Sequence, residues 1–121
     1  MPIMSHSTLS TTALAASATF NAPAVEVVLG TFSGARLAPF SGPVSNFDFY
    51  RVLAASDQVG TLNIQQSIDG STWYTSVSQA TVAGEATVVE SIPSASFIRA
   101  QFVNGSTAQT EFLLSSMTVA R

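Results

Sequence analysis

The stretch Gly60–Trp73, GTLNIQQSIDGSTW, constrains the fold more than any other part of this chain. Leu62, Ile64 and Ile68 alternate with Thr61, Asn63, Gln65 and Ser67. That is the period-two pattern of a strand with one buried face. Asp69-Gly70 follows at once, and both residues tolerate the positive φ of a tight turn. The segment reads as a β-hairpin in which 60–67 pairs with 72–79 and Trp73 opens the return strand. An isolated hairpin is marginal in water, so further strands must cover its apolar face.

The rest of the chain supplies them. Short strands are expected at 18–21 and 25–29, broken at Ala22-Pro23. Residues 30–45 hold Gly30, Gly34, Pro39, Gly42 and Pro43 and read as a long loop with Phe32 and Phe40 at its tips. Residues 47–53 carry large side chains at both parities. Ala83-Gly84-Glu85 is a turn into strand 86–92, which Pro93 ends. Ile98, Ala100 and Phe102 alternate with Arg99 and Gln101, and Asn104-Gly105 is a second turn pair before a last strand at 110–119. About eight short antiparallel strands without an amphipathic helix predict an all-β sandwich or jelly roll. The expected core is Val27, Phe49, Leu53, Leu62, Ile64, Trp73, Val88, Ile98, Phe102, Phe112 and Leu114.

Residues 1–16, rich in Ser, Thr and Ala, show no sustained period and read as an extended N-terminal arm on a domain of residues 17–121. Ala13–Ala18 mimics a signal cleavage site, but no Lys or Arg precedes Arg36, so an arm fits better than a signal. An arm laid on a neighbour adds a strand or fills a groove. Its removal should then weaken attachment and leave the domain folded.

Composition narrows the function. Only 9% of residues are charged, against roughly 25% in an average domain. There is no lysine, and the cations are Arg36, Arg51, Arg99 and Arg121. With a net charge of −3, the chain cannot neutralise a run of phosphates, so no nucleic-acid partner is expected. No apolar run is long enough for a membrane helix, so no membrane partner is expected either. A charge-poor surface suits an assembly in which neighbours cover it, and edge strands without lysine need such cover.

Site chemistry is sparse. His6 is the only histidine and lies in the arm. The chain has no cysteine, no phosphate-binding glycine loop and no acid-rich calcium loop. Asp57 reads as a loop cap and Asp69 as part of its turn. No catalytic residue, cofactor site or metal site is assigned, and an enzyme is not expected. Trp73, Tyr74 and Tyr50 offer a possible aromatic platform for sugar, weighed against a packing role for Trp73. Arg51 and Arg99 lie within strands, where a carboxylate across strands or on another subunit would pair with them.

The run LAASDQVGTLNIQQSIDGSTW from Leu53 to Trp73, followed by FIRAQFVNGSTAQTEFLLSSM from Phe97 to Met117, resembles small β-sandwich virion structural proteins of tailed bacteriophages. TTALAASATF upstream resembles the first strand of that pattern, and loop 30–45 departs from it by its length. The resemblance implies a capsid decoration, or cement, protein on the exterior of the phage head. Its implied partner is the major capsid protein and its implied form a homotrimer. Leu9, Leu14, Phe32 and Phe40 are the expected capsid or subunit contacts. The alternative is a tail or fibre component that binds host carbohydrate.

Overall fold

The computed structural model describes residues 3–27, 44–45 and 49–120. Ten strands follow one another: β1 (Ile3–Ser10), β2 (Thr19–Asn21), β3 (Val25–Val27), β4 (Val44–Ser45), β5 (Phe49–Ser56), β6 (Gly60–Ser67), β7 (Tyr74–Ala80), β8 (Ala86–Ser91), β9 (Phe97–Asn104) and β10 (Phe112–Ala120). They form two sheets of a sandwich, and no helix occurs among the described residues. The first sheet has the order β1-β10-β5-β8 and is antiparallel throughout. The second has the order β4-β3-β9-β6-β7, with β2 also on β9, and its one parallel pair is β3 with β4.

The Asp69-Gly70 hairpin forms as its sequence dictates. Gly70 has φ 81°. Asp69 Oδ1 accepts the amides of Ser71 and Thr72, each at 2.9 Å, while Ser67 Oγ accepts the amide of Gly70 at 2.8 Å. The amides of Thr72 and Ser71, with the Ser67 hydroxyl donating to Oδ1 at 3.0 Å, hold the Asp69 carboxyl below its ordinary value. Gly84, at φ 79°, makes the second expected turn. Asn104-Gly105 does something else. Gly105 is not in the left-handed region, and the chain between β9 and β10 crosses from one sheet to the other. Asn104 is buried, and its side-chain amide donates to the carbonyls of Ala15 at 3.0 Å and Thr107 at 2.9 Å. It is a clamp for the segment after β1, not a hairpin turn.

The extended segment at the N-terminus lies on the domain's own sheet. β1 pairs with β10 from Ile3 opposite Ala120 to Ser10 opposite Leu114, with an irregularity between Thr8 and Ser10. Leu9 and Leu14 pack against the core. Leu14 exchanges hydrogen bonds with the buried Gln109: its amide donates to Oε1 at 2.8 Å, and its carbonyl accepts the Gln109 amide at 2.9 Å.

The core joins Tyr50, Val52, Ala54, Phe112 and Leu114 of one sheet to Leu62, Ile64, Ile98, Ala100 and Phe102 of the other. The rings of Phe102 and Phe112 meet between the sheets at 4.9 Å. Phe49, Leu53, Trp73 and Val88, expected in the core, are not part of it. β5 carries large apolar residues at both parities, so alternation alone cannot choose its inner face. The register places Val52 opposite Val89 on the inner face and Leu53 opposite Val88 on the outer one, where Val88 is 54% exposed. Gln66 bonds the sheets to each other: its Nε2 donates to Ser91 Oγ and the carbonyl of Ile92, each at 3.2 Å, and its Oε1 accepts the amide of Ser94 at 2.6 Å. The buried amide of Gln66 does here what ion pairs do in chains richer in charge, both of its ends being satisfied by specific partners.

Candidate functional surfaces

Four surface features carry the polar and apolar groups that could act. The first is the loop after β5. Asp57 accepts hydrogen bonds from the Thr110 hydroxyl at 2.6 Å and from the amides of Thr110 at 3.0 Å and Glu111 at 3.1 Å. These donors, the Thr110 hydroxyl foremost, hold its carboxyl well below the usual carboxylate range. A carboxylate saturated in this way is a structural cap, as its sequence setting suggests. The sign of its pH effect follows: the stabilisation is present above the unfolded-state pKa and fades as pH falls through the carboxylate range toward the lowered folded value. Asp57→Ala should lower the melting temperature by several degrees at neutral pH, and the gap from the unaltered chain should close in acid. Thermal melts across a pH series check this, and a gap independent of pH would refute it.

The second feature is the outer face of the four-stranded sheet. Leu53, Val88 and Met117 line a groove of about 160 Å³ together with His6 and Arg51. Arg51 pairs across strands with Glu90, its Nε donating to Oε2 at 2.8 Å. Both side chains are about two-fifths exposed, so this ion pair contributes little stability.

The third is a cleft of about 310 Å³ at the turn end of the β6–β7 hairpin. Ser67, Thr75, Ser76 and Ser94 line it beside Tyr74 and Ile68. Tyr74 is 68% exposed and Ile68 79%. Tyr50 lies elsewhere, fully buried. Its burial raises the phenol pKa, against the opposing effects of Ser116 and the Ala100 backbone. An aromatic platform that joins Tyr50 to Tyr74 is therefore excluded.

The fourth is the outer face of the six-stranded sheet, where amides run from strand to strand. Gln101 Nε2 donates to Asn21 Oδ1 at 2.8 Å, and Gln101 Oε1 accepts from Asn63 Nδ2 at 2.9 Å and Gln65 Nε2 at 3.3 Å. Gln65 Oε1 accepts from Arg99 Nε at 2.9 Å. The Arg99 guanidinium lies over the Trp73 ring, 4.2 Å from its centroid. Trp73, expected to pack in the core, is half-buried on this outer face instead. It immediately precedes β7, whose first residue Tyr74 pairs with Gln66. Sequence reading misses this pairing because Trp73 and Arg99 meet only through the registers of β6 with β7 and with β9.

Of the expected contact residues, Leu9 and Leu14 are engaged with the chain's own core, while Phe32 and Phe40 lie outside the described residues. Among the described residues, no three His, Asp or Glu side chains gather as a metal site would require. No helix among them is long and apolar enough to cross a membrane.

Comparison with known proteins places this geometry. The crystal structure of PBSX exported protein XepA has a similar fold, with a TM-score of 0.75 and 24% sequence identity. The similarity covers 96% of this chain, which spans 37% of that one. No curated protein matches the chain. Residues 3–119 match the family described as the uncharacterised protein YqxG N-terminal domain, and the chain belongs to that family.

Proposed function

We propose that the chain is a non-catalytic structural module of a phage-type particle. In this reading it is a capsid decoration protein that binds the outer surface of the head, touches the major capsid protein and works as a homotrimer. The observation that carries the reading is the outer face of the four-stranded sheet. Leu53, Val88 and Met117 form an apolar strip there, beside His6 and the Arg51–Glu90 pair. Such a face gains free energy when a neighbour covers it. The setting is supported by the similar fold of an exported protein of PBSX, a phage-like element. Weak contacts repeated over a lattice add through multivalency. Purified protein mixed with heads that lack it should add density at symmetric lattice points in cryo-electron micrographs. Bare heads beside a folded protein would refute the decoration role.

The Tyr74 cleft favours a second reading, a tail or fibre module that binds host carbohydrate. An exposed aromatic ring beside hydroxyl groups suits a sugar, whose faces are apolar and whose rim is polar. A glycan array should then respond to the unaltered protein and lose at least about tenfold in signal with Tyr74→Ala, the scale of one well-placed contact. An unchanged response, or none from either protein, removes this reading.

A further inference from the structure

We propose that Arg99, seated on Trp73 and held by Gln65, receives a carboxylate side chain from a partner protein docked on the outer face of the six-stranded sheet. Arg99 is fixed from two sides. Its Nε donates to Gln65 Oε1 at 2.9 Å, and its Cζ lies over the Trp73 ring, 4.2 Å from the centroid. Gln65 is itself buried and held, donating to Thr75 Oγ1 and Gln101 Oε1, each at 3.3 Å. The guanidinium therefore cannot swing freely, and with Nε given to Gln65 the donors of its two Nη groups are left for another acceptor. A fork fixed in this way has already lost much of the rotamer freedom that ion pairing costs.

The charge balance gives the ligand its chemistry. Arg51 has its carboxylate in Glu90, whereas Arg99 is in no ion pair among the described residues. Glu26, opposite Phe97 on the same face, makes none with it. Arg99 is half-buried, and that desolvation lowers its pKa. A cation that has given up water without gaining an anion is under-compensated, and a carboxylate restores the balance through paired, charge-assisted hydrogen bonds. The buried carbonyl oxygen of Asn63 in the same amide array also lacks a partner. It marks this face as one where polar capacity is left unspent.

The aromatic face decides between a protein and a sugar. The guanidinium already covers one face of Trp73, so that face offers an anion fork in place of a stacking platform. An Asp or Glu on a partner surface fits that offer. The proposal rests on the reading of the chain as an assembly module and names the chemistry of its partner.

Trp73 is the only tryptophan, so its fluorescence reports the site directly. A hexaglutamate peptide should produce a saturable change that raised salt weakens, and a hexaglutamine peptide should not. Arg99→Gln should weaken the response at least about tenfold, and Arg99→Lys by roughly threefold or more, since an ammonium keeps the charge and loses the fork. Thermal melts establish that each variant is folded; if Arg99→Gln is not, Arg99→Lys decides. Equal responses to the two peptides, or an undiminished response in the variants, overturn the proposal. A response to glucuronate with none to hexaglutamate overturns it in favour of an acidic sugar. A change that grows with protein concentration in the absence of peptide overturns it in favour of a second copy of the chain. The assay contains no particle, so its failure leaves the head-binding test standing.

Discussion

Deletion of residues 1–16 is expected to destabilise the domain by at least roughly 3 kcal/mol, from the half-buried side chains of Leu9 and Leu14 and the buried hydrogen bonds that leave with them. β1 supplies the whole of one edge of the four-stranded sheet. Without it, Asn104 and Gln109 keep their buried amides and lose the backbone groups of Leu14 and Ala15. β10, FLLSSMTVA, would become an edge strand without a single charge or proline, which is a template for aggregation. The truncated chain should therefore melt much earlier than the full chain and scatter light on standing. A synthetic peptide of residues 1–16 added in trans should restore part of both, because strand addition needs only the free edge of β10. An unchanged thermal transition in the truncated chain would show that β1 is a dispensable arm. That outcome would return these residues to the attachment role that their composition suggests.

How far the fold is legible in the sequence depends on which face each strand buries. β6 and β9 are read without error over Leu62, Ile64, Ile98 and Phe102, because apolar and polar residues alternate there and the polar set is large. β1 is illegible for the opposite reason. Ser7 pairs with Ser116 and the neighbouring register position pairs Thr8 with Ser115, so this part of the strand meets hydroxyl-bearing residues and needs no apolar alternation of its own. β5 is half legible: Tyr50 and Phe49 are equally fit for a core, and only pairing with β8 and β10 settles that Tyr50 turns inward. The candidate sites divide in the same way. The roles of Asp57 and Asp69 follow from local turn chemistry and can be read from a few neighbouring residues. The Arg99–Trp73 pair depends on contacts between strands distant in sequence, and nothing local signals it.

Phe102→Ala tests that assignment of faces with the largest effect of any single substitution considered. Phe102 is fully buried in β9, opposite Leu62 on one side and Phe20 on the other, and its ring meets Phe112 of the facing sheet. It also fills the space over Gly60, where an added Cβ would lie 2.7 Å from the ring. Truncation to alanine removes an aromatic contact between the two sheets and leaves a cavity in the middle of the core. The expected loss is about 3–5 kcal/mol, seen as a fall of roughly 10–20 °C in melting temperature for a domain of this size. Val88→Ala is the matched comparison. Its alternation pattern makes it as good a core candidate as Phe102, yet it stands on the outer face, and its truncation should change stability by no more than about 0.5 kcal/mol. If both substitutions destabilise strongly, the outer face of the four-stranded sheet is covered in the isolated protein and cannot be the free apolar strip offered to a capsid. If only Phe102→Ala does, Val88 is left as a side chain whose burial must come from a partner, and its effect should then appear in head binding instead of in melting.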